Sequence, residues 1–351
     1  MNADKIADEK VYPQASSFDL ATHAPTRLLK RRIEVYEKEL LFSKWTPESI
    51  IDIGTGKGFF LRFWPSVKRS QAVEFLEELD IPEGCRLFKT TFLGAVGMEP
   101  ADLMLALRVP HYLFAESLSP LYMLKAAMLC KDRLLWESRP AAPEVRAIKG
   151  RWEQAIAKVP WIKRRGTSKA FLDLASRFFT LERRFVATFK EYDTLSFRRI
   201  MPPIVKTTET AHRTERKGDR WEKAGYTESQ VMQHWSILQA LGISEVVEAF
   251  LEGPDGRLCG EIQRHVEGPP SSREKCQAMF VWLYGRLMPI SYIPVDIVPK
   301  NLINGVPVDI SCAMPVELRL SQSDKADPMF RSALMDQIRQ IEPVDVGSIP
   351  L

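Results

Sequence analysis

The stretch that most constrains this chain is Ser49-Ile50-Ile51-Asp52-Ile53-Gly54-Thr55-Gly56-Lys57-Gly58-Phe59-Phe60. A run rich in β-branched apolar residues is cut off by glycine at every second position, and a helix-like apolar stretch follows. Such a run suits a strand buried on both faces, as in a parallel sheet. Glycine is needed where the backbone takes φ > 0 or where a ligand must approach the main chain closely. The turn lies at the carboxyl end of its strand, where open α/β sheets put their ligands. Its spacing is G-x-G-x-G. That differs from the G-x-G-x-x-G that wraps a pyrophosphate, and no G-K-[ST] follows to make a P-loop. Close packing of this kind suits a ligand without phosphates, such as a nucleoside with a small charged tail. The plain structural alternative is an ordinary strand-to-helix connection.

The flanking sequence repeats the strand–helix alternation. Arg27–Leu41 carries apolar residues at helical spacing, and strand patterns follow at Gln71–Phe75, Asp102–Leu107 and Arg133–Trp136. Ser119–Cys130 reads as a helix with a Ser-Pro start. Alternation of this kind indicates βαβ units and a sheet covered on both faces. Residues 139–175 read as a linker and two helices, and Phe178–Thr188 with Leu195–Met201 as an antiparallel pair turning at Tyr192-Asp193. Pro202-Pro203 then marks a domain boundary. The expected fold over residues 1–200 is therefore α/β, a mostly parallel sheet with helices on both faces. A smaller α+β module occupies 201–351. Within it Lys206–Lys223 is a polar tract, Glu228–Leu241 and Arg273–Leu287 are helical, and Val246–Leu251 and Leu258–His265 are strand-like.

The glycine turn resembles motif I of class I S-adenosylmethionine-dependent methyltransferases, and the resemblance, which implies a Rossmann-like seven-stranded sheet, runs to about residue 200. It implies that Asp52, Gly54, Thr55, Gly56 and Gly58 form the cradle of that cofactor. In the family an acidic residue ending the second strand binds both ribose hydroxyls, and Glu74 in Ala72-Val73-Glu74-Phe75 stands there. Ala101–Val109 resembles the fourth strand, whose end faces the methyl donor, and Arg133–Ser138 the fifth. The third strand departs from the pattern, because Arg86–Phe92 offers only Thr90 and Thr91 where an acidic adenine contact is common. Methyl transfer mainly asks the protein to align donor and nucleophile. The resemblance puts Arg108, His111 and Tyr112 nearest the expected methyl position. His111 could take a proton from an acceptor hydroxyl, or be a hydrogen-bonded histidine at a helix start.

In the last third, Asp296-Ile297-Val298-Pro299-Lys300-Asn301 reproduces D-x-x-P-x-N followed by apolar residues. This resembles the catalytic loop of protein-kinase-like phosphotransferases. There the aspartate accepts the substrate hydroxyl proton and the asparagine holds a metal ion. The resemblance implies Asp296 as the catalytic carboxylate, with Asn301 and Asp309 as nucleotide–metal contacts. It also implies Lys206 and Glu228 as the pair that orients the phosphates of ATP with Mg²⁺. Against it, no glycine-rich loop precedes Lys206, Pro294 replaces the loop histidine, and D-F-G reads Asp309-Ile310-Ser311. The module is then an active or a degenerate kinase relative, or a non-catalytic interaction module.

Composition narrows the rest. Lysine and arginine total 49 against 45 acidic residues, a surplus too small to demand a nucleic acid. Basic residues do cluster from Lys163 to Lys190, interleaved with Trp161, Phe171, Phe178, Phe179 and Phe185. They suggest either an anionic acceptor, a phosphorylated glycan or RNA, or the solvated and buried faces of the same elements. Five widely spaced cysteines form no C-x-x-C pair, which fits a reducing compartment and no zinc site. With no span of about 20 apolar residues and no signal-like leader, the reading is cytoplasmic.

Overall fold

The computed structural model describes residues 18–19, 24–25, 27–40, 45–56, 58–63, 67–74, 81–107, 119–138, 169–185 and 193–315. They divide into two compact units. The first takes the chain up to Phe92, Ala101–Ser119 and Cys130–Arg199; the second takes Leu93–Pro100, Pro120–Leu129 and the chain from Ile200 onward.

The first unit is built on seven strands: β1 (Ser49–Ile53), β2 (Arg69–Val73), β3 (Arg86–Phe88), β4 (Ala101–Leu107), β5 (Cys130–Ser138), β6 (Phe179–Phe185) and β7 (Asp193–Arg199). Their order across the sheet is β3-β2-β1-β4-β5-β7-β6. The first five neighbours run parallel, whereas β7 is antiparallel to both β5 and β6. All five residues of β1 are buried, with Asp52 in register with Ala72 on one side and Leu105 on the other. The expected seven-stranded, mostly parallel sheet is therefore present. The reversal in strand order falls between β1 and β4, the kind of position where open α/β sheets leave a crevice for ligands.

Helix α1 (Arg27–Leu40) puts Ile33 and Tyr36 into a core shared with Ile50, Phe60, Leu103, Leu105 and Leu135. Each such side chain removed from water contributes about 1.5–3 kcal/mol. A short helix α2 (Phe59–Phe63) follows the glycine turn and buries Phe59, Phe60 and Leu61. Helix α3 (Ser119–Leu129), which from Pro120 belongs to the second unit, is followed in the chain directly by β5, and its apolar residues from Leu121 to Leu129 are buried all round. Helix α4 (Lys169–Ala175) stacks Phe171 on Trp136, with ring centroids 4.8 Å apart. Of the two helices predicted over 139–175, the second is α4 and the first lies outside the described residues.

The second unit holds a five-stranded sheet of β8 (Ile204–Lys206), β9 (Arg213–Lys217), β10 (Arg220–Ala224), β11 (Val247–Glu252) and β12 (Leu258–Arg264), ordered β8-β11-β12-β10-β9. Only β8 pairs in parallel. Helix α5 (Glu228–Leu241) has the predicted bounds, fixed by a Thr227–Gln230 capping box and by Gly242 at φ 73°. Its Val231, Met232, Trp235 and Leu238 pack with Val247, Phe250 and Ile310. The tract read as merely polar is in fact the β9–β10 hairpin, held by register pairs from Arg213–Ala224 to Lys217–Arg220 and by a Lys217–Glu222 ion pair. Helix α6 (Arg273–Leu287) leads to β13 (Tyr292–Pro294), which pairs with β14 (Ala313–Pro315). Between them Leu302–Ile303 and Val306–Pro307 form a tight hairpin turning at Asn304-Gly305, both at positive φ. Among the described residues, no helix is long and apolar enough to cross a membrane.

Candidate functional site

At the carboxyl end of β1 the chain makes three left-handed residues in alternation, Gly54 at φ 67°, Gly56 at φ 54° and Gly58 at φ 68°. Any side chain there costs on the order of 1–2 kcal/mol per residue. The turn is tied down by its neighbours. Gly54 N–H donates to Val73 O at 2.8 Å, and Gly58 N–H donates to Thr55 O at 3.0 Å. Thr55 Oγ1 donates to Asp52 Oδ2 at 2.8 Å, with both residues buried. Glu74, at the end of β2 and only 5% exposed, accepts the Gly56 N–H at 3.0 Å through Oε2. Its own N–H donates to Phe88 O of β3 at 3.1 Å. The five predicted cradle residues and Glu74 are thus brought together by β1, β2 and β3. Main chain without Cβ atoms lies beside a carboxylate, a combination that fits an adenosyl ligand.

Arg108, His111 and Tyr112 lie outside the described residues, as do Trp161, Lys163, Arg164, Arg165 and Lys190. Of the described aromatic residues in the basic cluster, Phe171, Phe178 and Phe179 are buried, and Arg183 pairs with Glu39 at 3.0 Å. A feature the sequence did not flag closes the carboxyl end of β5. Buried Glu137 accepts Tyr36 Oη at 2.7 Å and Thr194 Oγ1 at 2.9 Å, tying α1, β5 and β7 together.

The second unit gathers part of the other predicted set. Asn301 Nδ2 donates to Asp309 Oδ2 at 3.2 Å and to the Asp296 carbonyl at 3.1 Å. Asp309 Oδ1 accepts the Ser311 N–H at 3.0 Å. Asp296 is exposed and left-handed, at φ 51°. Lys206, by contrast, is exposed on edge strand β8, and Glu228 Oε1 accepts the Leu258 N–H at 3.3 Å. Lys223 of β10, which was not predicted, is buried and donates through Nζ to Val308 O, the carbonyl before Asp309. Burial pushes its ammonium below the usual lysine range, and Glu261 and Asp309 oppose that shift.

No family model and no curated protein sequence matches this chain. Among solved structures it is similar to the N-methyltransferase NodS from Bradyrhizobium japonicum WM9, at 13% identity and a TM-score of 0.37, over 48% of this chain and 96% of that one. It is similar to the 1,6-didemethyltoxoflavin-N1-methyltransferase of Burkholderia thailandensis, at 17% identity and 0.37, over 56% and 88%. Magnesium protoporphyrin IX methyltransferase from Synechocystis PCC 6803 gives 12% and 0.37, over 49% and 82%. Likeness at this level carries no weight beside the strand order and the turn geometry.

Proposed function

We propose that the first unit is an S-adenosylmethionine-dependent methyltransferase. The observation that carries this reading is the run of three left-handed glycines at the carboxyl end of β1, bonded through Gly56 to the buried Glu74 carboxylate at the end of β2. Gly54, Gly56 and Gly58 would present bare main chain to the ligand, and Glu74 would accept hydrogen bonds from the ribose hydroxyls. Asp52 and Thr55 hold the turn in shape from below. When bound, the cofactor supplies an electrophilic methyl group. The protein's part is then to orient donor and acceptor in line and keep water out. Isothermal titration with S-adenosylhomocysteine tests the reading. Binding that disappears in Gly56→Arg with Glu74→Ala supports it, and absence of binding by the unaltered chain overturns it.

A second reading rests on the Asn301–Asp309 bond. An amide and a carboxylate so paired suit a nucleotide with a divalent cation, as in a phosphotransferase. A thermal shift with ATP and Mg²⁺ that vanishes in Asp309→Asn is expected, and no shift in the unaltered chain would rule this reading out.

A further inference from the structure

The two carbonyls that precede Asp309 are clasped from behind. His234 Nε2 of α5 lies 3.1 Å from Pro307 O, and Gln263 Nε2 of β12 donates to Val308 O at 3.1 Å. Lys223 Nζ donates to the same Val308 oxygen. Behind these donors sits Glu261 of β12, fully buried like His234. Its carboxylate meets His234 Nδ1 at 2.9 Å and accepts from Gln263 Nε2.

Both ring nitrogens of His234 therefore face oxygen acceptors. A neutral imidazole carries one N–H, so with the Glu261 carboxyl ionised one contact would set a lone pair against a lone pair in a site without solvent. Two donors satisfy both contacts. We propose that His234 is an imidazolium paired with Glu261, and that this pair, with Lys223 and Gln263, fixes the Pro307–Asp309 segment and so the Asp309 carboxylate.

Burial pushes Glu261 upward, but the His234 ring, the Gln263 amide and the Lys223 ammonium outweigh it and hold the acid below its ordinary range. Burial raises the Cys312 thiol and the Tyr226 phenol, which also face the cluster. Two cations, His234 and Lys223, then balance two carboxylates, Glu261 and Asp309. A buried group of this kind is tolerable only when so balanced. His234 is a positioning residue, since it reaches Asp309 only through the carbonyls ahead of it.

Long-range ¹H–¹⁵N correlation on the intact, histidine-labelled protein tests the protonation state, with His234 assigned by its loss in His234→Gln. Two imidazolium-type nitrogens at pH 7.5 are expected, and one pyridine-type nitrogen overturns the pairing. Hydrogen exchange tests the positioning. The Val308 and Ser311 amides should exchange at least tenfold faster in His234→Gln, with the Gly54 amide of the first unit unchanged. Equal protection at Val308 and Ser311 in both proteins overturns that part. Should the variant not fold, the nitrogen signals of the unaltered chain decide instead, assigned through their contacts with Pro307 and Gln263, and one pyridine-type nitrogen at pH 7.5 refutes the proposal.

Discussion

The main-chain N–H of Gly56 donates to Oε2 of Glu74 at 3.0 Å, so the glycine turn after β1 and the acid ending β2 form one hydrogen-bonded unit. Neighbouring parallel strands bring the two together, with Ile53 and Val73 in register immediately before them.

Gly56→Ala forces a Cβ onto a left-handed residue at φ 54°. It should cost about 1–2 kcal/mol of stability and weaken S-adenosylhomocysteine binding at least tenfold. Calorimetric titration and urea unfolding of the same sample measure both effects.

Glu74→Gln keeps an oxygen for the Gly56 N–H but loses the charge. Stability should change little, while affinity for the adenosyl ligand falls by about tenfold, the worth of roughly one charge-assisted bond. Glu74→Ala should lose both, and comparison of the two variants by titration and thermal melting separates the roles.

Asp102 Oδ2 accepts from Glu48 N, Ser49 N and Ser49 Oγ, each at 2.9 Å, and Oδ1 pairs with Lys131 at 3.0 Å. Burial raises its acid, but Lys131 and these donors outweigh that and leave it below the ordinary carboxyl range. The stability this adds is present above the unfolded value of about 4 and is lost as pH falls through the lower folded one. Urea unfolding from pH 6 to pH 2 should show this loss, and Asp102→Asn should flatten it at a cost of about 1–3 kcal/mol near neutrality.

Lys125 is buried with Nζ donating to the carbonyls of Leu93, Ala95 and Ile290 at 2.8, 2.6 and 3.1 Å. Burial lowers its ammonium to about 7. The unfolded chain then binds this proton more tightly, so stability should rise with pH between about 7 and the unfolded lysine value of about 10.4. Chemical unfolding at pH 7, 8 and 9 tests this, with Lys125→Met expected to abolish the slope.

Much of the fold was legible because its signals are local. Ser49–Ile53 is apolar throughout and ends in glycine, and helices α5 and α6 start at residues whose caps, Thr227 and Ser272, close their first turns. The β9–β10 hairpin escaped because its strands are largely charged. It stands on cross-strand ion pairs and on its backbone ladder, with no apolar face to betray the period. Lys223 was hidden within that tract, and its partners Glu261 and Asp309 become neighbours only on folding. Lys206 stood in the expected order before a helix that opens with glutamate, and order alone says nothing about exposure.

Helix α3 has a timing problem that its bonds make explicit. Lys125 and Ile290 are separated by 165 residues, which at cellular synthesis rates delays the third acceptor by on the order of ten to thirty seconds. Through that interval a nascent apolar segment, joined without a break to the fifth strand, has left the ribosome with its anchoring set incomplete. Vectorial synthesis therefore places completion of the Lys125 bond set after the region around Ile290 has emerged.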